Sequence, residues 1–136
     1  MKIAIRYYSK TGHMKKMADV VAGVTGVEAM TIDEPIDKPV DVLWLGTAVY
    51  AAGIDSKVKK FIASLDPAKV GRVVCFSSAA ILQSSYAQVK SLLEKQGLTV
   101  DEREFHCRGQ FTLLHRGHPD ENDLRQLREF AESMQA

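Results

Sequence analysis

Short apolar runs and longer amphipathic stretches alternate along this chain. Residues 3–8, IAIRYY, form a run of strand length broken only by Arg6. From Met14 onward, Met17, Ala18 and Val21 recur at helical spacing. VEAMTI at 27–32 reads as a short second strand. VDVLWLG at 40–46 reads as a third, apolar enough to be covered on both faces as central parallel strands are. Val58, Phe61, Ile62 and Leu65 then mark one face of a helix, and RVVCFS at 72–77 is a fourth strand. Tyr86, Val89, Leu92 and Leu93 mark the next helix, which Gly97 closes as a C-cap. TVDEREFHC at 99–107 is a polar fifth strand, which places it at a sheet edge. The last helix spans 120–134, with Leu124, Leu127, Phe130, Ala131 and Met134 inward and Asp120 and Asp123 spaced as a capping box.

Strand and helix in alternation predict an α/β protein with a parallel sheet and helices on both faces. Five strands suggest the doubly wound order 2-1-3-4-5. In such a sheet, ligands sit beyond the carboxyl ends of the strands where the winding reverses. Here that is between strands one and three, at the loops 9–14 and 47–55. DEPIDKP at 33–39 reads as a connection within one domain spanning 1–136.

Composition narrows the reading. Of 136 residues, 46% are hydrophobic and 26% charged, as in a globular protein, and the net charge of +1 calls for neither nucleic acid nor a membrane surface. No apolar run is long enough to cross a bilayer, and the opening MKIAIRYYS is too short in apolar residues for a signal peptide. Cys75 and Cys107 make no paired framework or metal-type spacing, so a reducing cytoplasm is expected; a monomer is the expected state.

The chemistry concentrates in YYSKTGHMKK, residues 7–16, where the first strand gives way to a helix. A helix N-terminus carries outward N–H groups and partial positive charge. Gly12 lets a ligand approach the backbone, and Ser9 and Thr11 add hydroxyls; together they could hold a phosphate. The same residues read equally as a tight turn with Thr11 as N-cap.

Three blocks in register carry a resemblance. Ser9-Lys10-Thr11-Gly12-His13-Met14 resembles the Ser/Thr-x-Thr-Gly-x-Thr loop that follows strand one in the flavodoxin family. GTAVYAAGIDSKVKKFI at 46–62 is similar to its Gly-Ser-Pro-Val-Tyr-Ala-Gly segment, and GHPDENDLRQLREFAESM at 117–134 to its last helix. The resemblance implies a site for flavin mononucleotide (FMN) and a role in electron transfer. Ser9, Lys10, Thr11, Gly12, His13 and Met14 would surround the 5′-phosphate. Thr47, Ala48, Val49, Tyr50 and Ala51 would line the isoalloxazine, with Tyr50 stacked on it. The loop from Ser77 to Leu82, with Ser78, Ala79 and Ile81, would close the other side.

The chain departs from the family pattern in places. Met14 stands where the family has threonine, and losing a hydroxyl donor to a phosphate costs about 1.5–3 kcal/mol, roughly ten- to a hundredfold in affinity. Ala48 replaces a proline. Alanines at 51 and 52 resist positive φ by about 1–2 kcal/mol, so weaker stabilisation of the half-reduced flavin is expected. Charge departs too: Lys10, His13, Lys15, Lys16, Lys57, Lys59 and Lys60 cluster where family members are acidic. That cluster reads as a solvated helix face or as a docking patch for a redox partner with an acidic surface.

Other residues carry less. Arg6 reads as structural, a strand guanidinium needing an acid or a route to water. Trp44 reads as core and Cys75 as an inert buried thiol; a similar Cys-x-Gly in the family implies that Cys107 reaches the site rim. No arginine stands six residues after either cysteine, which argues against a cysteine phosphatase loop. Tyr8, Ser9 and Gly46 occupy the places where a phosphorylation receiver needs acids. Three functions stay open: an electron carrier, a flavin-free binding or regulatory module on the same fold, and a flavin-dependent reductase of small molecules.

Overall fold

The computed structural model describes residues 1–8, 12–49, 54–79, 86–108 and 120–135. Its strands are β1 (Ile3–Tyr7), β2 (Ala29–Thr31), β3 (Val40–Val49), β4 (Val70–Ala79) and β5 (Phe105–Arg108). Its helices are α1 (His13–Thr25), α2 (Ser56–Ser64), α3 (Tyr86–Lys95) and α4 (Glu121–Gln135). The sheet runs β2-β1-β3-β4-β5, with every pairing parallel. This is the doubly wound order that the alternation of patterns predicts.

Two cores follow from the period-two alternation of side chains along the central strands. Val42, Trp44, Val74 and Phe76 face α1 and α4, where Met17, Val21, Leu127 and Ala131 meet them. Leu43, Leu45, Val73 and Cys75 face α2 and α3, against Val58, Phe61, Val89 and Leu93. Trp44 packs edge-on to Phe130, with ring centres 5.9 Å apart at 84°. It is a core residue, as the sequence suggests.

Helix ends obey local chemistry. In α4 the expected capping box forms with aspartates: Asp123 N–H donates to Asp120 Oδ1 and Asp120 N–H donates to Asp123 Oδ2, each at 2.9 Å. Past α3, Gly97 adopts φ +91°, and Leu98 N–H donates back to the Leu93 carbonyl at 3.0 Å.

Strand boundaries differ from expectation, most tellingly at the ends of β3 and β4 and in the fifth strand. β3 continues to Val49 and β4 to Ala79, because the two strands keep pairing from Gly46↔Phe76 through Val49↔Ala79. Thr47, Ala48, Val49, Ser77, Ser78 and Ala79 are therefore strand residues, not loop residues. The fifth strand is shorter than 99–107: only Val100 bridges Val73 before β5 begins at Phe105. Between them Asp101 draws the chain into a bend, accepting from Arg72 Nη1 at 3.1 Å, Arg103 N–H at 2.9 Å and Arg103 Nη2 at 3.1 Å. Arg103, hydrogen-bonded to it, holds the Asp101 carboxyl below its ordinary pKa.

Arg6 is structural, though neither an acid nor water alone accounts for it. Its Nε donates to the Glu34 carbonyl at 2.8 Å and its Nη2 to the Pro35 carbonyl at 3.2 Å. The guanidinium thus ties the turn after β2 to the central strand.

Gly46 marks a tight point of the sheet. A Cβ there would lie 2.5 Å from Phe76 Cζ and 3.0 Å from Met14 Cε. Phe76 is fully buried and has no room to yield. Gly46→Ala is expected to lower stability by about 1–3 kcal/mol, read as a reduced urea midpoint with an unchanged m-value.

Candidate functional site

The carboxyl edge of the sheet is stepped. β1 ends at Tyr7, paired with Gly46, while β3 and β4 run on to Val49 and Ala79. Three further residues of strand at about 3.3 Å each raise a ledge roughly 10 Å high beside the point where β1 hands over to α1. This is the switch point of the winding, where β1's two neighbours connect in opposite directions.

α1 starts at the foot of that ledge. Its N-cap is Gly12, with φ +84° and ψ −7°. Thr11, expected in that role, lies outside the described residues, as do Ser9 and Lys10. The left-handed backbone at Gly12 suits glycine alone among common residues. A Cβ built there meets nothing within 4 Å, so torsion rather than crowding selects the residue. Having no side chain, Gly12 leaves the first turn of α1 without the usual Ser, Thr or Asp cap.

His13 and Met14 follow. His13 is half-buried, and its Nδ1 is one of the few buried polar atoms without a hydrogen-bond partner among the described residues. Met14 is fully buried in the α1/α4 core. Its Sδ lies 3.5 Å from the hydroxyl of Ser78, which donates to it. The side chain at position 14 therefore belongs to the core.

The ledge itself is polar where the core pattern calls for apolar residues. Thr47 and Ser77 are register partners on the α2/α3 face and are 3% and 2% exposed. Ser77 Oγ has no hydrogen-bond partner among the described residues. A buried hydroxyl left unsatisfied costs about 1–3 kcal/mol, so its position invites a polar ligand group. Ala48 and Ser78 alternate to the opposite face. Tyr50, Ala51 and Ile81 lie outside the described residues.

Tyr8 was not singled out by the sequence. It follows β1 directly, and its hydroxyl donates to Asp55 Oδ2 at 3.2 Å. Asp55 also caps α2, accepting from Lys57 N–H at 2.9 Å. One carboxylate thus links the end of β1 to the start of α2. A tyrosine between a strand and its loop carries no pattern that could have announced this.

Among the described residues, neither cysteine is poised as a nucleophile. Burial pushes both cysteine thiols up to about 12, so neither is a thiolate at neutral pH. Cys107 Sγ sits 3.9 Å from Met17 Sδ, on the α1 side of β5. His106 Nδ1 pairs with Glu104 Oε1 at 2.8 Å. Among the described residues no group of three or more His, Cys, Asp or Glu could hold a metal ion. None of the described helices is long and apolar enough to cross a membrane.

Comparison with known proteins turns on shape. No protein-family model and no curated sequence matches the chain. Among solved structures, a flavodoxin from the domain Archaea superposes with a TM-score of 0.74 at 18% identity, covering 98% of this chain and 96% of that one. The chain has the flavodoxin fold. Oxidised Flavodoxin 2 from Bacillus cereus gives 0.73 at 17% identity with both chains covered completely. Two-electron reduced Megasphaera elsdenii flavodoxin gives 0.67 at 24%, covering 96% of this chain and 98% of that one. Identities this low carry the flavodoxin fold alone, so function rests on the residues of the ledge.

Met14→Thr is expected to lower stability by about 2–4 kcal/mol, because a smaller, polar side chain would replace a buried thioether between Gly46 and Ser78. Thermal and urea unfolding would check this. A variant as stable as the parent would show that position 14 is not a core residue.

Proposed function

We propose that the chain is an FMN-binding electron carrier of the flavodoxin type. The observation that carries this reading is the left-handed Gly12 at the start of α1, set at the switch point below the β3/β4 ledge. A helix opened by glycine there suits a phosphate, which benefits from oriented N–H groups and the helix dipole together.

The residues present fit the group. Gly12 and His13, with the preceding Ser9, Lys10 and Thr11, would hold the phosphate. Thr47, Ala48, Val49 and Tyr50 would line one side of the ring and Ser77, Ser78 and Ala79 the other. Ser77 Oγ and His13 Nδ1, both buried and unpartnered among the described residues, are polar atoms that a ligand could satisfy. Two of the similar solved proteins are described as oxidised and as two-electron reduced flavodoxins, which supports a redox role.

When bound, FMN supplies reversible uptake and release of electrons. The chain's part is to bind, orient and shield. The buried ledge keeps water from one flank, and the rigid β3/β4 pair fixes the position of whatever rests on it. Such a role needs no catalytic acid or base.

Titrating the flavin-free protein with FMN should quench flavin fluorescence to saturation at one equivalent. Gly12→Val must force a β-branched residue to φ +84°, at a cost of about 1–2 kcal/mol. Its FMN affinity is expected to fall by about tenfold or more while the far-ultraviolet circular dichroism is kept. Fluorescence that stays unquenched in the parent would overturn the assignment and leave the fold as a flavin-free module.

A further inference from the structure

We propose that Lys57, Lys59 and Lys60 form a docking strip for a partner protein that presents clustered carboxylates. The inference rests on the FMN reading only for its purpose, since the strip adjoins that site; the charge pattern stands without it.

Helix α2 holds these lysines within four consecutive positions and has no acidic residue between Ser56 and Ser64. All three are exposed. None has a carboxylate partner among the described residues, whereas Lys15 of α1 is held by Asp19 at 2.9 Å. Lys16 of α1 is likewise exposed without a carboxylate partner among the described residues, but three such lysines lie together only on α2.

Local chemistry works against this arrangement. Lys57 and Lys59 stand in the first turn of α2, where the helix dipole favours acids and disfavours cations. Lys57 and Lys60 are three apart, a spacing at which like charges repel. The nearest acid, Asp55, is engaged by the Lys57 N–H and the Tyr8 hydroxyl. Charge kept at a site that does not stabilise its own helix is charge available to a partner.

Placement says where that partner would sit. α2 begins just after β3 ends at Val49, and Lys57 Nζ lies 6.0 Å from the centre of the Tyr8 ring, at the end of β1. The strip thus borders the switch point. Beside it a groove of about 410 Å³ is lined by Ile32, Pro35 and Phe61 together with Lys57, Lys60 and Asp33. Asp33 repels carboxylates, so the lysines are what an acidic surface would engage there. Because the net charge is only +1, attraction comes from this patch rather than from the whole molecule.

Poly-L-glutamate is the probe. In an ¹⁵N–¹H NMR titration of the flavin-free and FMN-saturated protein at low salt, shifts should centre on Lys57–Ser64 and Tyr8. They should weaken at least about tenfold in 0.5 M salt, where the screening length is only a few ångströms. The variant K57Q/K59Q/K60Q, altered only at exposed positions, should keep its spectrum elsewhere and lose the response. Shifts centred instead on Lys2, Lys38, Lys69 or Lys90, or a response retained in the triple variant, would overturn the strip. The two readings fail separately: a protein that takes up no FMN yet shows the α2 response removes the cofactor, and one that binds FMN without that response removes the strip.

Discussion

Met14 under the first turn of α1 is the contact on which the site depends. Its Sδ accepts from the Ser78 hydroxyl, and its Cε and the Phe76 ring together crowd the place that a Cβ at residue 46 would take. These four residues lie on three elements: the start of α1, β3 and the latter part of β4. Their packing holds the opening of α1 against the sheet edge. Without it the left-handed turn at Gly12 would have no fixed position relative to the ledge. A core contact therefore sets the geometry of a surface site, as expected where interiors are packed close to crystal density.

The ledge has a second consequence. Where β3 and β4 outrun β1, their side chains change from apolar to hydroxylated, Thr47 and Ser77 succeeding Leu45 and Cys75 on one face. Burial and polarity coincide there, which is costly unless a partner is supplied. The β1 end is tied down separately, through Tyr8 to Asp55 and through Arg6 to the Glu34 and Pro35 carbonyls. The site thus stands on rigid strands flanked by hydrogen-bonded connections.

Much of the architecture was legible in the pattern of apolar positions. The helical repeats around Met17, Phe61, Val89 and Leu127 each face a core, and the Asp120–Asp123 spacing forms the cap it suggests. Strand ends were less legible. Polar Thr47, Ser77 and Ser78 look like loop residues, and only pairing between two long central strands keeps them in the sheet. The charged segment 99–107 looks like one strand, yet Asp101 gathers two arginines and bends it. At the candidate site, the left-handed turn at Gly12 announces itself by residue type and position. The burial of Met14 was hidden, because a methionine after a glycine-containing turn can face either way.

The sequence by itself determined the element order, the sheet topology, the two-sided burial of the central strands and the glycine at the head of α1. Each is a local or periodic property, written in spacing of apolar residues and in backbone preference. Only the tertiary structure decided how far β3 and β4 extend, that position 14 is core, that Tyr8 meets Asp55, and which lysines keep their charge unpaired. Those outcomes join residues tens of positions apart, and no local pattern encodes a contact whose partner is chosen by the packing of the whole.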